Sequence, residues 1–322
     1  MKKVKKAGTA IAVAGATAAL AAVSAYATTR YLVKIALDRE EPKMYKDAEP
    51  KLAGTMVSRE FLDAIDESAK ELSAKEHEVV EITSYDGHTL VGHLFEKPNA
   101  KRLIVAMHGW RSSWGRDFGM VADFWFSEDC TVLFAEQRGQ NNSGGDYMGF
   151  GMIERYDCLE WVNYMTDRFG KKLPLYLAGV SMGASTVLMT TGLKLPENVH
   201  GVMADCGFTS PYAIWKHVAN KNLHIPFGVR GALADLVCKE KIHMGSDDYS
   251  TIDALKTCTV PVLFVHGSDD NFVPVEMTYQ NYKACVSPKE LLIVPGAGHG
   301  MSYYLEKDRY EATVRNFFKK YD

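Results

Sequence analysis

Leu175-Tyr176-Leu177-Ala178-Gly179-Val180-Ser181-Met182-Gly183-Ala184-Ser185 is the stretch that decides the fold. Four apolar residues run into Gly-x-Ser-x-Gly, and a helix-forming run over residues 184–193 follows. A strand that stops at a serine and turns at once into a helix is a nucleophile elbow. Gly179 and Gly183 lack side chains, so strand and helix backbones can approach closely enough for the sharp turn. The Ser181 hydroxyl is then left at the strand tip, over the unpaired N–H groups of a helix start, where a developing oxyanion is stabilised. The bare pattern turns up by accident about once in ten chains of this length, at roughly 7% usage of each residue type. The flanking strand-like and helix-like runs favour the elbow.

A serine hydroxyl needs a base to take its proton and an acid to orient that base. Val260-Pro-Val-Leu-Phe-Val-His266-Gly267-Ser-Asp269-Asp270-Asn-Phe-Val273-Pro274 reads as a buried strand and an acidic turn. Leu291-Leu-Ile-Val-Pro-Gly-Ala-Gly298-His299-Gly300 is another strand, ending at a glycine-flanked histidine. Upstream lie Val105-Ala-Met-His108-Gly109-Trp110 and Glu136-Gln-Arg138-Gly139-Gln-Asn-Asn-Ser143-Gly144. In the order Ser…Asp…His, these segments resemble the α/β-hydrolase superfamily over residues 78–320.

The resemblance implies Ser181 as nucleophile, His299 as base and Asp270 as the orienting acid. His-Gly-x-x-Asp-x-x-Val-Pro counts out to Asp270; Asp269 and Asp205 are the competitors, since some relatives carry the acid at the strand following the elbow helix. It also implies an oxyanion hole from the backbone N–H groups of Trp110 and Met182. His108 reads as structural, because His299 already fits the base position. Many relatives have Asp and Gly where this chain has Glu136 and Gln140, so this loop departs from the pattern. Arg138 reads as an ion-pairing tie between loops, and Asp157, in an amphipathic run, as solvated or capping.

The 322 residues, 47% hydrophobic, suffice for one large core. A formal net charge of −3 implies no basic face, which argues against a nucleic-acid partner. The six cysteines have neither Cys-x-x-Cys spacing nor metal-ligand clustering, and read as buried free thiols rather than disulfides. No cofactor and no metal are expected.

Residues 1–30 pair a cationic head of four lysines with an uncharged run over residues 7–29. That run has the length of a bilayer span, about 20 residues. A retained anchor would put the catalytic domain outside the cytoplasm at the cell membrane. Ala25-Tyr26-Ala27 is a cleavage pattern and offers the alternative of a secreted protein freed from a signal peptide, and a soluble helix is the third reading. Residues 31–77 read as a stalk and an amphipathic helix, N-capped by Ser58, that packs on the enzyme domain.

Residues 78–322 read as the catalytic domain. Two alternating runs around Asp86-Gly87 form a hairpin, and buried strands alternating with helices imply a mostly parallel, doubly wound sheet. Residues 208–258 have helical apolar spacing and no evident strand, and read as a small helical cap over the site. Its Trp, Phe, Ile and Leu side chains would either enclose an apolar acyl or aryl group or only hold the cap to the body. The expected function is a serine hydrolase acting on small-molecule carboxylic esters. The alternatives are an acyltransferase or aminopeptidase-like enzyme with the same triad, or a non-catalytic binding protein that keeps the fold.

Overall fold

The computed structural model describes residues 2–40 and 58–322. Most of the stretch expected to be a stalk, residues 41–57, lies outside the described residues. The chain opens with α1 (Lys2–Leu37) and α2 (Arg59–Ala74), then a hairpin, β1 (Glu78–Thr83) and β2 (Thr89–Phe95). There follow β3 (Arg102–Met107), α3 (Trp114–Ser127), β4 (Cys130–Ala135), α4 (Glu154–Phe169), β5 (Leu175–Val180), α5 (Met182–Thr190) and β6 (Val199–Asp205). Next come α6 (Pro211–His217), a π turn (Val218–Asn222), α7 (Gly228–Ile242) and α8 (Thr251–Leu255). β7 (Val262–Gly267), α9 (Val275–Ala284), β8 (Lys289–Val294), α10 (Ser302–Leu305) and α11 (Lys307–Tyr321) complete the chain.

The eight strands form one sheet in the order β1-β2-β4-β3-β5-β6-β7-β8, antiparallel through β1, β2 and β4 and parallel from there on. This is the α/β-hydrolase fold. β4 and β7 are buried along their whole length, because helices cover both faces of the sheet. On one face Phe118 and Trp125 of α3 meet Phe317 and Phe318 of α11. On the other, Trp161 of α4 packs with Val187 and Leu188 of α5. A third cluster lies beyond the strand ends, where Val33 and Leu37 of α1 meet Phe150, Phe208 and Val237. Parallel strands joined by same-handed crossovers end along one edge, so the loops after β3, β5, β6, β7 and β8 converge there.

Ser58 N-caps α2 by accepting from the Phe61 N–H, and Phe61 and Leu72 bury their side chains. Arg138 ties loops together, pairing with Asp157 at 2.5 Å and Asp86 at 2.7 Å. Asp157 is thus not solvated, as its sequence position suggests, but buried against a guanidinium. The six cysteines are free and buried.

The N-terminus requires a correction. Among the described residues no helix is long and apolar enough to cross a membrane. α1 has the length, but its uncharged run is mostly alanine, glycine, serine and threonine. The Leu- and Ile-bearing stretch that follows is interrupted by Arg30 and Lys34 and lies against the domain, with Val33 and Leu37 buried. The transmembrane anchor is therefore not supported, and a catalytic domain held outside the cytoplasm by it falls too. The secreted alternative would cut α1 at a turn closed by the Thr29 hydroxyl donating to the Ala25 carbonyl at 2.7 Å.

Candidate active site

β5 ends at Val180, and Ser181 turns the chain into α5 with φ 55° and ψ −114°. Few non-glycine residues adopt that conformation, which costs about 1–3 kcal/mol and is a frequent mark of a functional position. The two flanking glycines are needed for contact reasons. A Cβ on Gly179 would overlap the Gly183 carbonyl, and one on Gly183 would overlap the Met107 carbonyl of β3. The Ser181 N–H is held by the Asp205 carbonyl at 2.9 Å, which fixes the base of the turn.

The loop after β8 carries His299 to this turn. Its Nε2 lies 2.9 Å from Ser181 Oγ and its Nδ1 2.7 Å from Asp270 Oδ2. Asp270 follows β7 and is buried. Its Oδ1 accepts from the N–H groups of Phe272 and Val273, both at 2.9 Å. Its Oδ2 also faces His266 Nε2 at 3.1 Å. His266 Nδ1 meets the Thr278 hydroxyl, and its Nε2 meets both Asp270 and the Val273 carbonyl. Two acceptors at Nε2 require the proton there, so His266 donates to the carboxylate.

Burial alone would raise the Asp270 carboxyl, but the charge of His299 and the hydrogen bonds from His266 and His299 outweigh it. The group is held well below the usual carboxylate range. Burial works against a charged His299, yet the adjacent Asp270 carboxylate lifts the imidazole well above its ordinary value. Phe272 stands edge-on to the His299 ring at 5.1 Å. Cys206 Sγ lies within 4.8 Å of donor atoms of Asp270 and His299. Burial pushes this thiol up to about 11, so at neutral pH it is an uncharged neighbour of the imidazole.

The competing acids sit elsewhere. Asp269 is exposed and accepts from the Ser268 hydroxyl. Asp205 is buried and accepts from the Ser302 hydroxyl at 3.2 Å. His108 is fully buried and braces loops, its Nδ1 on the Gly109 carbonyl and its Nε2 accepting from the Gln137 N–H. Burial lowers its imidazole.

Met182 opens α5, so its N–H belongs to the first turn, which has no intrahelical acceptors. Gly109 lies against the nucleophile, where a Cβ on it would stand 3.4 Å from Ser181 Cβ. Two side chains missed in the sequence set this loop on either side of Trp110. Asp117 Oδ2 accepts from the Gly109 N–H at 2.5 Å, and Gln140 Oε1 from the Arg111 N–H at 2.6 Å. Gln140 stands at a position that departs from the family pattern, and that departure was the available signal. Glu136, the other departure, is buried and accepts from His93 at 2.9 Å and from the Asn142 N–H at 2.6 Å.

Ser181 opens on a cavity of about 410 Å³, within the usual range for small-molecule sites. Its wall includes Trp110, Phe208, Phe227 and Phe272, and among the described residues it carries no carboxylate. Arg230 is its one charged side chain among those residues, with Nε buried and unpartnered.

A model of the prolyl oligopeptidase family matches residues 116–321, more than half of the chain. The chain belongs to that family. It is a member of the α/β-hydrolase superfamily. YqkD of Bacillus subtilis (strain 168), itself uncharacterized, is 27% identical over 186 residues, covering 58% of this chain and 61% of YqkD. The match thus spans less than two thirds of that relative's length. Among solved structures, the Pyrococcus furiosus esterase Pf2001 superposes with a TM-score of 0.62 at 23% identity, over 78% of this chain and 95% of the esterase. The Pyrococcus horikoshii acylaminoacyl peptidase superposes with a TM-score of 0.57 at 15% identity, over 78% of this chain and 43% of the peptidase. At those identities the likeness concerns the fold.

Proposed function

We propose that the chain hydrolyses carboxylic esters through Ser181, His299 and Asp270 by way of an acyl-enzyme. The supporting observation is the continuous chain of contacts, 2.9 Å from Oγ to Nε2 and 2.7 Å from Nδ1 to Oδ2, opening on an apolar cavity.

Ser181 Oγ attacks the ester carbonyl carbon as its proton passes to His299 Nε2, and the carbonyl π pair moves onto oxygen. Asp270 holds the imidazole in the tautomer with its proton on Nδ1 and favours the cation that forms. The N–H groups of Met182 and Trp110 receive the oxyanion, each worth about 3–4 kcal/mol in comparable sites. Collapse re-forms the carbonyl and breaks the bond to the alkoxy oxygen, which leaves as alcohol with the proton from Nε2. Water then attacks the acyl-enzyme, giving its proton to His299. Ser181 departs with that proton, and the carboxylic acid is released.

The family name raises a second reading, cleavage of a peptide bond with the same residues. A free peptide N-terminus is cationic and is best held by a carboxylate, and among the described residues the cavity wall lacks one. This favours esters. The test is turnover of p-nitrophenyl esters of graded chain length against aminoacyl p-nitroanilides, by wild type and Ser181→Ala, with fluorophosphonate labelling of the purified protein. Ester turnover and label, both lost in Ser181→Ala, are expected. Turnover confined to the anilides overturns the ester reading, and a wild type that neither labels nor turns over any substrate overturns the triad.

A further inference from the structure

α1 contributes to the site in a way that neither the elbow nor the family match touches, since that match begins at residue 116. The cavity that opens at Ser181 is walled on one side by α1 side chains, among them Thr29, Leu32, Ile35 and Ala36. Across the cavity lie Ile214, Leu223 and Phe227, from α6, the π turn and the segment leading into α7. A helix at the head of the chain thus completes a chamber otherwise built by its middle.

The docking is well fastened. Val33 and Leu37 are buried in the third core cluster. Arg30 pairs with Glu240 at 2.9 Å, and Asp38 with Lys241 at 2.8 Å, both partners on α7. The last carbonyls of a helix have no intrahelical donor and carry partial negative charge. Here the loop after β3 supplies donors: Trp110 Nε1 to the Ala36 carbonyl at 2.8 Å, and the Arg111 guanidinium to the carbonyls of Ile35 at 2.8 Å and Asp38 at 2.7 Å. The two residues next to Gly109, beside the nucleophile, therefore also grip the end of α1.

We propose that residues 29–37 of α1 form a wall of the acyl-binding subsite, and that Leu32 and Ile35 set the length of acyl chain the enzyme accepts. The preferred class is an ester of an unbranched, apolar, medium-chain acid, since this wall offers the chain methyl and methylene groups and its backbone carbonyls are already engaged. The proposal rests on the ester-hydrolase reading above. A bulkier side chain at either position shortens the chamber without touching Ser181, His299 or Asp270, and a smaller one lengthens it.

The experiment measures kcat/KM of the full-length protein for p-nitrophenyl acetate, butyrate, octanoate and decanoate. The variants are Leu32→Trp, Ile35→Trp and Ile35→Ala, with Leu20→Trp, on an exposed part of the same helix, as control. The octanoate-to-acetate ratio should fall at least tenfold in Leu32→Trp or Ile35→Trp and stay within twofold of wild type in Leu20→Trp. Ile35→Ala should raise the decanoate-to-butyrate ratio, which gives a readout even where the tryptophan variants fold poorly. Ratios within twofold of wild type in all three wall variants, with the wild-type ester profile intact, overturn this proposal alone. A wild type that hydrolyses no ester and takes no fluorophosphonate label removes the hydrolase reading on which it stands.

Discussion

Asp270 and Asp205 are carboxylates at the ends of neighbouring strands, both buried, a few residues apart in space and opposite in character. Asp270 accepts from two backbone N–H groups and faces two imidazoles, and its carboxyl is held well below the ordinary range. Asp205 has one hydroxyl donor, Ser302, and burial pushes it up to about 6. Similar burial with different donors depresses one carboxyl and raises the other. Burial alone does not depress a carboxyl. The donors that fill its lone pairs do.

Asp270→Asn breaks the comparison hardest. An amide at this position can stabilise the wrong tautomer of His299, and kcat/KM should fall about 10⁴-fold on a p-nitrophenyl ester. The same exchange at Asp205, which does not contact His299, should leave kcat/KM within a few-fold of wild type. Comparable losses at both positions would dissolve the distinction.

The pH profile sharpens it. His299 must be neutral to accept the Ser181 proton, and Asp270 lifts its pKa, so kcat/KM should rise with pH on an acid limb centred above the ordinary histidine value of 6.5. An acid limb centred below 6.5 would mean that Asp270 does not govern the imidazole.

The two carboxylates should also differ in sign in their linkage to stability. The folded-state pKa of Asp205 is raised from 3.8 to about 6, so folding is penalised as pH climbs through that window. Asp205→Asn removes the penalty while still accepting from Ser302, and should gain about 1–3 kcal/mol relative to wild type at pH 7.5 compared with pH 3.5. Asp270 is depressed, so its contribution is present above the unfolded value, near 3.9, and fades as pH falls below it. The Tm difference between Asp270→Asn and wild type should be largest at neutral pH and shrink in acid. Thermal melts across pH test both signs. The smallest effect belongs to Asp269→Asn, exposed and turned to Ser268, where kcat/KM should stay within twofold.

What could be read in the chain follows the range of the forces involved. The elbow is a steric problem that its glycines advertise: Gly179 must pass the Gly183 carbonyl four residues on, and Gly183 the Met107 carbonyl of β3. The family motif His-Gly-x-x-Asp-x-x-Val-Pro counts out to Asp270 rather than its neighbour, and in the fold Asp270 is buried where Asp269 is exposed. Asp157 misled because a partner nineteen residues away neutralises it. Gln140 reaches the Arg111 N–H from the loop after β4, twenty-nine positions away. Asp117 accepts from Gly109 only eight positions away, but without a spacing that marks the pair. α1 was the hardest to read. Its length and lack of charge suggest a bilayer span, but its alanine-rich run is too weakly apolar for one. The contacts with Glu240, Lys241 and the residues after β3 show where its end docks.

The grip of α7 on α1 has a consequence for assembly on the ribosome. Arg30 and Glu240 are 210 positions apart, so the first helix made must wait for most of the chain before its partner exists. Until then α1 has only its earlier-made neighbours, Trp110, Arg111, Phe150 and Phe208 among them, and lacks the ion pairs that α7 supplies. The ion pairs that fasten α1 are therefore among the last of its contacts to become possible, well after the turn at Ser181 has been synthesised.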